Sequence, residues 1–335
     1  MRSYLTDRSF CVSIGPHSSK CHPLRWGVPQ GSVLGPLLFS VYMLPLGKLF
    51  RKHKVDFHLY ADDCQIYVPM HKGPNRSVTA LTECLNEIKM WMSANFLGLN
   101  ETKTEVVVFS PGGRQDHGLD LLSLAPFEKS VVTNLGVKLD AAMKLDLQIN
   151  AVTRSCFFQL KRLARIKSFI SKSNLEIVTH AFVLSRLNYC SSLYAGLPKA
   201  SIARLQLVQN AAARFICGAK KSDHITPVLV SLNWLPVQYL IYMKILVFAF
   251  KSLAGTAPSY LSDLILKYSP SKSLRSADQC LLLAPRTKCK FRGDRAFSVL
   301  APKLWNQLPQ AIREVTLLES FKAQLFLHYR AIVSA

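Results

Sequence analysis

Residues 55–68 constrain the fold more than any other stretch of this sequence. Alternate residues from Val55 to Leu59 are apolar, which is typical of a β-strand with one buried face. The stretch from Gln65 to Val68 has the composition of a returning strand. Asp62 and Asp63 are therefore predicted to lie in a tight hairpin turn between the two strands.

Two adjacent carboxylates at a hairpin tip suit metal-assisted chemistry. Asp62 and Asp63 repel one another, so a bound cation would relieve an electrostatic cost. Mg²⁺ prefers carboxylate oxygens together with substrate phosphates, and nucleotidyl transfer uses two such ions about 4 Å apart. Both residues are candidate catalytic and metal-binding residues. The alternative is an aspartate-rich turn without metal, because Asp is common in turns.

A glycine-containing loop, Gly27–Ser32, precedes this hairpin. Its two glycines allow the backbone to pass close to a ligand, and Pro29 stiffens it. Gln30 offers both a donor and an acceptor, which suits the edge of a nucleotide base. The alternative is a simple strand-to-helix connection. The apolar stretch Val33–Phe50 that follows has helical spacing and predicts one helix.

The charge balance indicates a polyanionic partner. The chain has 42 Lys and Arg against 20 Asp and Glu, a net charge of +22, which favours nucleic acid over a merely solvated surface. A membrane is disfavoured because the longest apolar run, Tyr239–Phe250, contains Lys244 and is too short to span a bilayer. The nine cysteines have no zinc-site spacing and, without a targeting segment, fit an intracellular location, nucleus or cytoplasm.

The rest of the chain changes from mixed to helical character near residue 140. Before it, Thr79–Phe96 predicts a helix, Val106–Phe109 a buried strand and Val131–Leu139 a strand or hairpin. An α+β chain is therefore expected, with an antiparallel sheet and packed helices followed by a mostly helical part. Helices are predicted around residues 152–170, 174–190, 201–217, 237–251 and 317–330, and a short β segment at 280–291.

Two sets of cations have the spacing of a phosphate-binding surface. The first set is spaced for one helix face, opposite an apolar stripe that includes Ile166; the second alternates along the predicted β segment. The alternatives are a solvated helix face and a lysine-protected edge strand. The first set is Arg154, Lys161, Arg165 and Lys172, and the second is Arg286, Lys288, Lys290 and Arg292.

Taken together, Gly27–Phe39 and Phe57–Val68 resemble the reverse transcriptases of non-LTR (LINE-type) retrotransposons. Trp91–Asn95 and Leu99–Thr104 are similar to the next motif of the family's polymerase palm, and Asn134–Val137 to its primer-grip hairpin. Further similar segments lie at residues 185–190, 208–214, 224–227, 234–236 and 301–306. The resemblance implies a partial palm at 1–140, a thumb-like helical region at 141–220 and a helical C-terminal extension with a short β segment at 221–335.

The resemblance also implies roles for single residues. Asp62 would bind Mg²⁺, with Asp63 beside it, and Gln30 and Gly31 would border the nascent base pair. Two further assignments have open alternatives. Tyr60 would lie near the primer end or be a core aromatic. Lys103 would lie near the triphosphate and donate a proton to pyrophosphate, or be a solvated lysine.

The implied activity is RNA-directed DNA polymerisation on an RNA template and a DNA primer, with deoxynucleoside triphosphates and Mg²⁺. One departure affects this expectation. The family has a catalytic Asp on a strand before the glycine loop, whereas Asp7, the only acid before Gly27, lies in a polar segment. Little or no polymerase activity is therefore expected of this chain alone. The alternatives are a non-catalytic RNA- or DNA-binding relic or co-opted fragment, and an inert product that folds poorly.

Overall fold

The computed structural model describes residues 2–70, 76–110, 118–269 and 279–334. The chain divides into two compact units. The N-terminal unit consists of residues 1–106 and 116–129, and the helical unit of residues 107–115 and 130–335. Helices and small antiparallel sheets occur together, so the α+β class is confirmed. The boundaries at 140 and 220 stay predictions.

The N-terminal unit begins with a short helix, two small strand pairs and two consecutive helices. β1 pairs with β4 and β2 with β3, both antiparallel. The single helix predicted over Val33–Phe50 is wrong, because Pro45, which has no backbone N–H for a helix interior, stands between two helices. The elements are α1 (Arg2–Leu5), β1 (Ser9–Phe10), β2 (Ser13–Ile14), β3 (His17–Ser18), β4 (His22–Pro23), α2 (Gly35–Met43) and α3 (Leu46–Lys52).

The predicted hairpin is present and is backed by a small core. β5 (Asp56–Tyr60) pairs antiparallel with β6 (Asp63–Tyr67), and α4 (Arg76–Ala94) follows. Phe57 of β5 packs on Phe50 of α3, with 4.4 Å between ring centroids. The inner face of the hairpin therefore rests on a buried cluster from α2 to α4, which consists of Met43, Leu46, Phe50, Val55, Cys84, Ile88 and Met92.

The buried strand predicted at Val106–Phe109 is wrong. Val106 forms only an isolated parallel bridge with Glu128, and Phe109 is 49% exposed. A strand requires a paired neighbour along its length, which apolar composition alone does not guarantee.

The helical unit opens with a hairpin, β7 (Val131–Asn134) paired to β8 (Val137–Asp140). Its core is one cluster of buried residues that extends from Leu145 to Tyr329. The helices are α5 (Asp146–Ile166), α6 (Lys172–Thr179), α7 (Ser185–Asn188), α8 (Lys199–Cys217), α9 (Ile225–Ser231), α10 (Val237–Leu253), α11 (Ser259–Ser262), α12 (Lys290–Gly293), α13 (Phe297–Asn306), α14 (Gln310–Arg313) and α15 (Leu318–Ser334). Residues His180–Leu184 form a π-helix between α6 and α7.

Several predictions for the helical unit are confirmed and two are wrong. α8, α10 and α15 lie where the periodicity placed them. Ile166, expected in the buried stripe of α5, is 44% exposed because it is the last residue of that helix. The β segment predicted at residues 280–291 is reduced to one antiparallel bridge between Lys267 and Leu282, and it runs into α12.

Candidate active site and nucleic-acid interface

The hairpin tip exposes both candidate carboxylates. Tyr60 of β5 is paired with Asp63, so the loop contains only Ala61 and Asp62. Ala61 has φ +53°, the positive value that two-residue hairpin loops require at their first position. The prediction that Asp63 lies in the turn is therefore wrong, since Asp63 is the first residue of β6. Both Asp side chains are exposed.

The outer face of the hairpin is polar and carries Tyr60. His58 and Tyr67 lie on this face, with 3.3 Å between the His58 Nε2 and the Tyr67 hydroxyl, and their rings stack. Tyr60 is 67% exposed, which excludes the core-aromatic alternative. Three side chains, one aromatic ring and two carboxylates, are thus accessible at this end of the strands.

Two thiols behind the hairpin stay protonated, Cys64 on the inner face of β6 and Cys84 on α4. Burial, with a smaller contribution from Cys84, raises the pKa of Cys64 to about 12. Burial, with a smaller contribution from Glu87, raises the pKa of Cys84 to about 11. Because the thiolate is the nucleophilic form, neither cysteine is a reactive nucleophile near neutral pH.

The donor set at the tip fits Mg²⁺ in kind but is incomplete. Asp62 and Asp63 offer the hard oxygen ligands that Mg²⁺ prefers. Within residues 2–70, 76–110, 118–269 and 279–334, no group of three or more His, Cys, Asp or Glu side chains could hold a metal ion.

The glycine loop is a defined turn. The Ser32 backbone N–H donates to the Pro29 carbonyl at 3.3 Å, and Gly31 has φ +81°, which is the pattern of a type II turn with glycine at its third position. Gln30 and Gly31 are exposed on this turn. The Ser32 hydroxyl accepts from the Gly35 backbone N–H at 3.2 Å, at the start of α2.

Two residues that the sequence did not single out support this loop. The Arg8 guanidinium donates to the Gly27 carbonyl at 2.8 Å, and the Tyr4 hydroxyl is hydrogen-bonded to the Ser32 hydroxyl. Neither shows a local sequence signal, because the contacts join residues far apart in the chain.

Lys103 lies on a 3₁₀ turn, Glu101–Lys103, after α4. The Asn100 carbonyl accepts from the Lys103 backbone N–H at 3.1 Å, and the Asn100 side chain caps the turn through the Thr102 N–H. Lys103 is exposed. These hydrogen bonds are local to the turn and do not join Lys103 to the hairpin.

The first set of cations is mostly, but not entirely, on one helix face. Arg154, Lys161 and Arg165 are exposed on α5. Lys172 is not part of this face, because α5 ends at Ile166 and Lys172 opens α6 after an intervening 3₁₀ turn. Exposed Phe157 and Phe158 lie among the α5 cations, and the charge pattern alone did not single them out.

The second set of cations does not form a stripe on a strand. Arg286 and Lys288 lie in an irregular segment, and Lys290 opens α12. Arg292 is half-buried and donates to the Ala141 carbonyl at 3.2 Å. The strand prediction is wrong here because the segment continues into helix α12, and because Arg292, its last cation, is hydrogen-bonded to the backbone.

Comparison with known proteins agrees with this geometry. Residues 1–139 match the family described as reverse transcriptase (RNA-dependent DNA polymerase). The chain is 28% identical to a probable RNA-directed DNA polymerase from transposon BS of Drosophila melanogaster, over 64% of this chain and 25% of that protein. It is 25% identical to the RNA-directed DNA polymerase from mobile element jockey of Drosophila melanogaster, over 65% of this chain and 25% of the relative.

The chain thus spans about a quarter of the length of these relatives. No solved structure matches it significantly. None of the helices in the described parts of the chain has the length and apolarity to cross a bilayer. Residues 1–139 are thus similar to reverse transcriptases, and the matched relatives are RNA-directed DNA polymerases of Drosophila mobile elements.

Proposed function

We propose that this chain supplies a palm hairpin and a nucleic-acid-binding helical unit to an RNA-directed DNA polymerase. One observation carries the proposal: Asp62 lies exposed at the tip of a strand pair whose other face is fixed by a core, within a segment matched to the reverse transcriptase family. In the whole protein, this hairpin serves template-primed nucleotidyl transfer. The partners are an RNA template, a DNA primer and deoxynucleoside triphosphates, inside the cell.

Asp62 and Asp63 would hold Mg²⁺ in the whole protein. The chemistry that Mg²⁺ would supply there is neutralisation of charge on the triphosphate and activation of the attacking hydroxyl. The chain's own residues orient the substrates. Gln30 and Gly31 border the nascent base pair, and Tyr60 packs near the primer end. Lys103 lies near the triphosphate and protonates the leaving pyrophosphate.

We expect no polymerisation by the chain alone, since among its described residues only two adjacent carboxylates lie at the tip. The test is Mg²⁺-dependent extension of a DNA primer on an RNA template, with the chain and with a longer protein that carries it. Extension is expected only from the longer protein, and Asp62→Asn should reduce its rate by orders of magnitude. If this chain alone extends the primer and Asp62→Asn abolishes that extension, the expected inactivity of the chain alone is refuted. If the longer protein still extends the primer after Asp62→Asn, the assignment of Asp62 as a catalytic residue is refuted.

The second candidate function is nucleic-acid binding without chemistry. The exposed Arg154, Lys161 and Arg165 on α5 favour it, since phosphate contacts provide affinity without sequence choice. The exposed Arg286, Lys288 and Lys172 add charge on other segments, and Lys290 opens α12. Binding should weaken linearly on a log–log plot against salt concentration. Salt-independent binding would contradict this function.

A further inference from the structure

We infer that the helical unit holds a single-stranded stretch of nucleic acid whose bases stack on aromatic rings. This rests on the proposed nucleic-acid-binding function and specifies the form of its ligand. The surface in question, the aromatic–basic face, consists of Arg154, Phe158, Lys161 and Arg165 on α5 together with Phe182 and Arg186. All six lie in the helical unit.

The rings and the cations share one side of α5. At 3.6 residues per turn, Phe158 lies about 20° from Arg165 and about 40° from Arg154 around the helix axis. Phe158 is 58% exposed. The Arg162 guanidinium lies 5.8 Å from the centroid of the Phe158 ring, so a cation already borders this ring.

The neighbouring segment extends the same surface. The Arg186 guanidinium donates to the Ser155 hydroxyl of α5 at 3.1 Å and to the Phe182 carbonyl at 3.2 Å. The Cys156 thiol donates to the Val183 carbonyl at 3.5 Å, which fixes the π-helical segment against α5. Phe182 is 48% exposed on that segment, so a second exposed ring lies on a segment that is bonded to α5.

The charge of this face selects a polyanion. The one carboxylate of α5, Asp146, lies in its first turn and pairs with Arg204, away from the aromatic positions. Among the described residues, the ion pairs that form involve other cations than those of the aromatic–basic face. Partly exposed phenyl rings beside cations that form no ion pair in the described structure therefore match a ligand with both phosphates and flat apolar faces.

Single strands fit this combination better than duplexes. In a duplex the bases are stacked on one another, and a ring on a convex helix face reaches only sugars and phosphates. In a single strand the bases are free to stack on aromatic side chains, while the cations follow the backbone. The cations alone would bind the phosphates of single strands and duplexes equally, so the aromatic rings are what favours single strands.

The test is fluorescence anisotropy with the full chain and three labelled probes. The probes are an unstructured single-stranded RNA of about 15 nucleotides, the DNA of the same sequence, and the corresponding duplex. Phe158→Ala should weaken binding to both single strands on the order of 10-fold and change duplex binding little, because stacking on one ring is lost. Phe158→Trp should retain single-strand binding.

Matched variants separate the ring from the charge. Arg165→Gln should weaken binding to all probes alike. It should also reduce the slope of log affinity against log salt concentration by about one. Phe248→Ala, which removes an exposed ring on α10, should leave every probe unchanged. Equal effects of Phe158→Ala on single strands and duplex, or no effect, would overturn this inference alone. Absence of binding to every probe would overturn it together with the proposed binding function.

Discussion

The cysteines illustrate how burial decides the chemistry of a single residue. Cys64 follows Asp63 directly, yet it faces the core while Asp63 is exposed. Burial raises the pKa of Cys64 to about 12. At neutral pH we expect Cys64 to react with iodoacetamide far more slowly than the exposed Cys11, because the thiolate is the reactive form. Mass spectrometry of the labelled native chain measures this, and equal labelling of both would contradict the packing of the hairpin.

The same thiol gives a pH dependence of stability with a defined sign. A thiol with a raised pKa in the folded state holds its proton longer than in the unfolded chain. The contribution of the protonated thiol to the free energy of unfolding is complete below the pKa of the unfolded chain, about 8.5. It is lost as the pH rises toward the folded-state pKa of about 12. Cys64→Ala should therefore flatten the alkaline loss of stability of the N-terminal unit, as followed by circular dichroism from pH 8 upward. An unchanged alkaline slope in this variant would exclude Cys64 as a contributor.

At the residue scale, the sequence predicted that a hairpin forms here better than it predicted which residues of the two strands pair. Asp62 lies at the tip, as the alternation on both sides of it indicated. Asp63 does not, because the exact pairing of Tyr60 with Asp63 depends on a turn that starts at Ala61 with positive φ. A one-residue difference in a hairpin moves a side chain from the loop to a strand, and no composition signal fixes it.

At the scale of elements, the β7–β8 hairpin has an unusual turn that can be improved. Leu135 and Gly136 have φ +45° and +77°, the pattern of a type I′ turn, in which Asn-Gly is preferred and leucine is strained. Leu135→Asn should raise the free energy of unfolding of the helical unit by about 0.5–1 kcal/mol. The Tyr189 hydroxyl bonds to the backbone carbonyl of Leu135, so this contact survives the change. Thermal denaturation is the measurement.

Gly136→Ala is the matched counterpart in the same turn. A Cβ there would meet nothing within 4 Å, so only the positive φ penalises it. We expect a loss of about 1 kcal/mol in the same denaturation experiment. If neither variant shifts the transition, the turn does not contribute to the cooperative unit that contains α5.

Local patterns account for the elements that were predicted correctly. α8, α10 and α15 each combine a long helical periodicity with a buried stripe, and both signals lie within the segment itself. The strand at Val106–Phe109 and the stripe ending at Arg292 failed for the opposite reason. Each depends on a partner elsewhere, namely Glu128 for Val106 and the Ala141 carbonyl for Arg292.

At the scale of the whole molecule, the most distant contacts converge on Arg295. Its guanidinium donates to the carbonyls of Ala195, Met143 and Leu193 at 3.1, 2.7 and 3.1 Å. Burial lowers the pKa of Arg295. One side chain near the C-terminal helices therefore satisfies three backbone acceptors that come from the beginning and middle of the helical unit, and so it joins segments far apart in the sequence.

Arg295→Ala should destabilise the helical unit without affecting the N-terminal unit. Losing a charged donor from three carbonyls, in two partly buried hydrogen bonds and one exposed, should lower the free energy of unfolding by about 3 kcal/mol, because partial exposure of the guanidinium reduces each contribution. Gly196→Ala should act on the same contact, since its Cβ would lie 2.6 Å from the Arg295 side chain. Arg154→Ala on the exposed face of α5 is the control and should be neutral.

Hydrogen exchange read out by mass spectrometry resolves the two units in one experiment. In Arg295→Ala, amides of α5, α8 and α10 should exchange faster. These helices share one hydrophobic core, and the hydrogen bonds of Arg295 stabilise the unit that contains it. Amides of α4 and the β5–β6 hairpin belong to a separate core and should keep their protection. Faster exchange in both sets would mean that the two units unfold as one. Unchanged exchange in both would mean that the packed helices, without the Arg295 contacts, determine the stability of the helical unit.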